Sequence, residues 1–310
     1  MAVNPAASFG RGRDAGSIAE RGLADAGHDV LGLECESAAE LVEAVRSELE
    51  SPPDALVVVG GDGMVHLATN LLVGTSVPLG LVPSGTGNDV ARALGIPYDA
   101  PARAVHVLLE CLERAPRVID VGRIRLTDGS TRHFAGAFSA GFDAIVNERA
   151  NHMTWPKGSA RYTLAMVLEL VRLRPRTYVM TLDDDPPLSF QGMLVSVANG
   201  VSLGGGMRIT PDAILDDGLF DVLVVDPLSR LRFLQIFPRV FRGTHITDPR
   251  VHVHRAARVR LQSVGIVTFA DGERVGPLPQ DLEIIPRALR VFAPGGGERA
   301  SSQDGRIPGD

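Results

Sequence analysis

Cysteine is nearly absent from this chain: Cys35 and Cys111 are the only two in 310 residues. That excludes a disulfide-stapled secreted domain and a zinc-ribbon framework, and it fits a reducing cytosol. There is no basic excess either. The 31 Lys and Arg against 37 Asp and Glu leave a net charge of −6. Nucleic acid is therefore not an expected partner, because a phosphate backbone calls for a dominant cationic surface. No uninterrupted apolar run approaches the roughly 20 residues of a bilayer span. Met1 to Gly10 lacks a basic stretch followed by an apolar one, so no signal peptide is expected. The expected location is cytoplasmic, and any work on lipid would be peripheral, at the inner membrane surface. Two nucleotide-binding signatures are missing as well, the Walker P-loop and the protein-kinase motif set.

What is present is ordinary in bulk and unusual in two places. At 45% hydrophobic and 22% charged residues the chain can bury a sizeable core, and its length allows two domains. Two glycine-rich loops stand about twenty residues apart, each after an apolar strand-like run. Gly60-Gly61-Asp62-Gly63 follows Ala55 to Val59, and Pro83-Ser84-Gly85-Thr86-Gly87-Asn88-Asp89 follows Val77 to Val82. Glycine lets backbone N–H groups approach a ligand closely, so two such loops suit a polyanion. Asp62 beside phosphates calls for an intervening cation, which suggests Mg²⁺. Thr86 offers a hydroxyl, and Asn88 and Asp89 suit the cap of the next helix. His66 reads as a helix-surface histidine.

The first third alternates strands with helices: a strand ending at the Asn4-Pro5 turn, a loop over 6–16, a helix from Ser17, a strand at His28 to Leu33, and a helix from Ala38 to Glu50. Helices follow both glycine loops, and another spans Ala102 to Glu113. This rhythm implies a mostly parallel sheet with helices on both faces, whose ligands sit beyond the strands' carboxyl ends. After residue 117 short strands dominate, with single strands expected at His133 to Ser139 and Gln191 to Ala198, and helices at Ala160 to Leu173 and Ser229 to Phe241. The expected fold is α/β plus β: an N-terminal three-layer α/β nucleotide-binding domain over 1–117 and a C-terminal β-sandwich domain over 118–288. A strand near 289–294 returns to the first domain, and 295–310 reads as a disordered tail.

Two further clusters lie in the β-rich half. Asp216-Asp217-Gly218, downstream of Gly204-Gly205-Gly206-Met207, reads as a turn with exposed acids or as a hard-cation site. Asp271-Gly272-Glu273 by itself reads as a hairpin turn. The segment 230–242 mixes arginines with large apolar groups, a pattern of core helices with a basic face and of helices lying on anionic lipid.

Together these stretches, with Ser139-Ala140-Gly141-Phe142-Asp143-Ala144 and Pro211 to Asp221, resemble the diacylglycerol kinase catalytic-domain family in order over residues 3–293. The resemblance implies an ATP-dependent lipid kinase with Mg²⁺ as cofactor, its active site in the cleft between an α/β domain and a β-sandwich. It implies nucleotide contacts at Asn4, Pro5, Gly60, Gly61, Asp62, Gly63, Met64, Gly85, Thr86, Asn88 and Asp89. It implies Glu273 as catalytic base with Asp271 beside it, and a structural Mg²⁺ at Ile214, Asp217 and Leu219, two of them through backbone carbonyls. Asp62, Asp89 and Asp217 match a water-linked acidic network around Mg²⁺. Met64, His66 and Leu67 stand where the family often has Thr, Asn and Glu. The implied partners are ATP, a hydroxylated lipid and a transient membrane surface, with a homodimer left open. An NAD kinase shares the first loop, and a nucleotide-binding regulator without turnover is a third reading.

Overall fold

The computed structural model describes residues 1–3, 11–126, 128–141 and 174–295, with scattered residues between 142 and 173. Of the helix expected at 160–173 only residues 164, 165, 168 and 169 are described, all of them helical; most of the 142–158 segment, Asn4, Pro5 and the tail from 296 lie outside the described residues.

The N-terminal half runs β1 (Ala2–Val3), α1 (Arg11–Asp25), β2 (Leu33–Glu34), α2 (Ala38–Glu50), β3 (Leu56–Gly60), α3 (Asp62–Leu72), β4 (Leu79–Pro83), α4 (Asp89–Ala93) and α5 (Pro101–Leu112). β1, β2, β3 and β4 pair in parallel. β3 and β4 are buried along their whole length, as continuous apolar strands covered on both faces must be. Helix α1 starts at Arg11 rather than Ser17. Of the glycines that suggested a loop, Gly16 instead lets the helix pack closely on β1; a methyl there would stand 3.0 Å from Val3 Cγ1. The strand expected at 28–33 shrinks to Leu33–Glu34, the two residues opposite β1.

The second half runs β5 (Arg117–Arg125), β6 (Thr131–Phe134), β7 (Ala137–Gly141), β8 (Arg176–Leu182), β9 (Leu188–Gly192), β10 (Leu194–Ala198) and β11 (Phe220–Val225). It continues through α6 (Arg230–Val240), β12 (Val251–Ala256), β13 (Arg258–Gln262), β14 (Val267–Ala270), β15 (Glu273–Pro277) and β16 (Gln280–Val291). β7, β10, β11, β12, β14 and β15 form a six-stranded antiparallel sheet. The remaining strands join the parallel strands in one ten-stranded sheet, ordered β2-β1-β3-β4-β16-β13-β8-β9, with β5 and β6 alongside. β16 makes the join: it pairs antiparallel with β5 and β13, and at Val291 in parallel with Leu79 of β4.

The two sheets of this half pack face to face over Phe134, Phe138, Tyr178 and Phe220, all fully buried. Phe134 and Phe220 stack with ring centroids 5.7 Å apart, a contact of roughly 1 kcal/mol beyond area burial. A separate core packs around β3 and β4 under the N-terminal helices. Two expected strands each split between sheets. The break at Ala135-Gly136 matters most, because the N–H groups it frees are taken by Asp271.

Candidate active site

Four turns meet where β3 and β4 end. The first glycine loop enters α3, with Asp62 as its first helical residue. The second loop lies against it: Ser84 N–H donates to the Gly60 carbonyl at 2.9 Å. A methyl at Gly85 would stand 2.4 Å from the Gly61 Cα, so both positions need glycine. Asn88, at φ 53, does not cap α4; its amide closes the loop on Gly85, accepting from Gly85 N–H and donating to the Gly85 carbonyl. Thr86 and Gly63 are both exposed.

Asp62 and Asp89 link the loops. Asp62 Oδ1 accepts from the N–H groups of Asp89 (2.7 Å) and Val90 (3.3 Å). Asp89 in turn accepts from Gly205 and Gly206 N–H, both at 2.7 Å, which brings the third glycine cluster into the site. Asp89 is thus a clamp between halves as well as a helix-start residue. Burial, with the charge of Asp89 next and that of Asp271 behind it, pushes the Asp62 carboxyl up to about 6. The raised value reports first a carboxyl drawn out of water and then the negative charge of its neighbours, and a cation brought to the loop would offset both.

The fourth turn carries Glu273. A methyl at Gly63 would stand 3.0 Å from Glu273 Oε1, so the carboxylate lies directly over the first loop. Glu273 is exposed and forms no hydrogen bond or ion pair among the described residues. Its proximity to Gly63 unites the two residues that the sequence places 210 positions apart.

Three sequence expectations need correction. Asp271 is not a group that touches substrate: its side chain is 1% exposed and accepts from the N–H groups of Ala135, Gly136 and Ala137. Met64 is a core residue; its side chain packs against Gly60 rather than facing a ligand. His66 is buried, with Nδ1 3.4 Å from Asp271 Oδ2. Its signal was available, since it lies four residues after Asp62 and therefore on the same helix face.

In the loop 214–219 the Asp217 carboxylate has protein partners. Asp217 Oδ1 accepts from Leu219 N–H at 3.2 Å, and Oδ2 is paired with the Arg255 guanidinium. The Ile214 side chain is exposed. Asp217 is the one carboxylate of the implied Mg²⁺ set, and here the Arg255 guanidinium supplies its counter-charge; two of the three implied ligands are backbone carbonyls, on which these side-chain contacts do not bear. No cluster of three metal-ligating side chains occurs among the described residues. What holds this loop is Asp120, fully buried, which accepts from Gly218 N–H and from Arg287 N–H at 2.7 Å each. Asn199 adds a second tie, donating to the Asp120 and Ala135 carbonyls. Neither residue stands out in the sequence, because each acts on backbone groups far along the chain.

Comparison with known proteins agrees with this arrangement. Residues 1–124 match the diacylglycerol kinase catalytic domain, and residues 136–293 match the YegS C-terminal NAD kinase beta sandwich-like domain. The chain is 36% identical over 292 residues to a diacylglycerol kinase of Mycobacterium tuberculosis, covering 94% of each. Among solved structures it resembles a putative diacylglycerol kinase from Bacillus anthracis, with TM-score 0.75 and 24% identity over 94% of this chain and 95% of that one. It shares its fold more distantly with an ATP-bound NAD kinase from Archaeoglobus fulgidus, with TM-score 0.51 and 14% identity over 88% and 87% of the two chains. With each half matched by a family model and a 36% identical relative covered along 94% of its length, the chain belongs to the diacylglycerol kinase catalytic-domain family.

Proposed function

We propose that this protein transfers the γ-phosphate of ATP to the hydroxyl of diacylglycerol or a similar lipid, giving phosphatidic acid or an analogue. The observation that carries the reading is the unpaired Glu273 carboxylate over Gly63, beside the two glycine loops. Phosphoryl transfer needs positioning and charge neutralisation more than covalent help from the protein. ATP would arrive with Mg²⁺ as its counter-ion, and Asp62, with one carboxylate oxygen free of backbone donors, is the acid placed to receive it. The residues of this chain divide the remaining work. Gly61, Gly63 and Gly85 keep the approach to the phosphates free of side chains, and Thr86 presents a hydroxyl there. Glu273 accepts the proton of the attacking lipid hydroxyl as the new P–O bond forms and ADP leaves. Asp271 keeps the Glu273 turn in place from within the core.

Helix α6 supports contact with a membrane surface. Leu231, Leu234 and Phe241 are exposed on one side, opposite the buried Phe233 and Ile236. Arg232 and Arg239 are less available than the sequence suggests, since both pair with the buried Asp248. No described helix is long and apolar enough to cross a bilayer, so the lipid hydroxyl would be reached from the surface.

Radiolabelled transfer from ATP to fractionated lipids tests the assignment. Glu273→Ala is expected to fold normally and lose at least about 100-fold in turnover, the scale of general-base catalysis. Near-normal turnover in that variant would falsify the role of Glu273. The likeness to NAD kinases is one of fold, and no phosphorylated NAD is expected from the same assay.

A further inference from the structure

The turn that carries Glu273 is tied to the rest of the molecule by the buried carboxylate two residues before it. Asp271 adopts φ 49 and its own N–H donates to the Ala137 carbonyl at 3.0 Å. Its oxygens take three backbone donors, Ala135 at 3.0 Å, Gly136 at 2.8 Å and Ala137 at 3.2 Å, all from the β6–β7 corner. The fourth contact is different in kind. His66 Nδ1 reaches Asp271 Oδ2 from α3, the helix that begins at Asp62. Among the described residues it is the one hydrogen bond between Asp271 and the N-terminal half. It therefore joins the helix behind the first glycine loop to the turn that holds the carboxylate over that loop.

This tie is separable from the fold. Helix α3 has its own anchor to β6 through Asn70. That amide donates to the His66 and His133 carbonyls at 2.8 and 2.9 Å and accepts from His133 N–H at 2.8 Å. The three backbone donors satisfy Asp271 without the ring. What the ring adds is the position of the turn relative to Gly63, where Glu273 Oε1 would stand 3.0 Å from a methyl. Displacement of a reacting group by about 1 Å can cost roughly 100-fold in rate.

We propose that His66 is a positioning residue for Glu273, acting through a hydrogen bond from its Nδ1–H to Asp271 and so setting the gap between the first glycine loop and the base. The inference rests on the lipid-kinase reading above. His66→Leu keeps bulk and removes the donor, while His66→Asn places an amide N–H near the position of Nδ1. With a dioctanoylglycerol acceptor in mixed micelles, His66→Leu lowers kcat at least tenfold with KM for ATP within about twofold, and His66→Asn restores most of the loss. In a Glu273→Ala background, His66→Leu costs little more, because it acts through the group already removed. Unchanged kcat in His66→Leu, a loss fully additive with Glu273→Ala, or no rescue by Asn overturns the proposal. Hydrogen exchange gives a readout independent of turnover. Peptides spanning 268–275 exchange faster in His66→Leu than in wild type and His66→Asn; equal exchange in all three overturns the tie. If the wild-type protein phosphorylates no lipid, the proposed function fails, and the exchange measurement still decides His66.

Discussion

Replacing Asp62 with Asn is expected to make the protein more stable at neutral pH while disabling it. The carboxyl is raised from an ordinary 3.8 to about 6, chiefly by burial and then by the charge of Asp89. For an acid raised in the fold the sign is clear. Below pH 3.8 folded and unfolded chains are both protonated and the group contributes nothing. Between 3.8 and about 6 the folded chain holds a proton that the unfolded chain has released, so stability falls as pH rises. Above about 6 the whole cost is present, about 3 kcal/mol by linkage, and solvent at the loop mouth makes that an upper figure. Asn keeps an acceptor for Asp89 and Val90 N–H and presents an amide where the charge was. Urea unfolding at two pH values should therefore show the variant ahead of wild type by about 1 kcal/mol at pH 4.5 and up to about 3 kcal/mol at pH 8. Phosphoryl transfer should fall sharply in the same variant. A gain that does not grow with pH, or a variant less stable than wild type at pH 8, refutes the argument that this site stores unneutralised charge.

Other outcomes follow from single contacts. Gly85→Ala places a methyl 2.4 Å from the Gly61 Cα; the loops must separate, at about 1–3 kcal/mol of overpacking, and KM for ATP should rise at least tenfold while an unchanged KM would show that the loops do not act together. Serine at Leu231 and Leu234 should reduce flotation with anionic vesicles, since each apolar side chain transferred from water contributes about 1–2 kcal/mol, and it should leave thermal stability unchanged because both are exposed; Phe241 is kept, because its ring packs edge-on against Phe237 with centroids 5.9 Å apart. Flotation equal to wild type would remove α6 as a membrane contact.

The sequence was most readable where local pattern and burial coincide. The apolar runs before each glycine loop are β3 and β4, and both loops stand at their carboxyl ends, because a parallel strand buried on both faces must be apolar throughout and its turn must be tight. The β-sandwich half was readable as a class, from short strands, but not strand by strand. His133 to Ser139 looks continuous in hydropathy, yet the chain changes sheets at Ala135-Gly136. The cause is Asp271, more than 130 residues away, which captures the N–H groups that a continuous strand would have given to a neighbour.

The same reasoning separates the acids of the site. Asp62, Asp89, Asp271 and Glu273 look alike in a motif, and each sits beside a glycine or at a helix start. Their hydrogen-bond partners assign them different work. Asp89 and Asp271 have backbone donors on both oxygens, so each holds a distant loop in place and has little capacity left for a ligand. Asp62 has donors on Oδ1 alone, and its Oδ2 lies toward Gly87 and Asp89. Glu273 has no partner among the described residues. Charge left unsatisfied in the folded chain is charge available to a reaction, so Asp62 and Glu273 are the two carboxylates expected to meet the nucleotide and the acceptor. Asp217 follows the rule from the other side: a motif that suggests a metal ligand holds a carboxylate already matched by Arg255. That pairing requires β12 to run beside β11, with Arg255 opposite Asp221. Strand register of this kind is set by the whole sheet, and the residues of the motif do not record it.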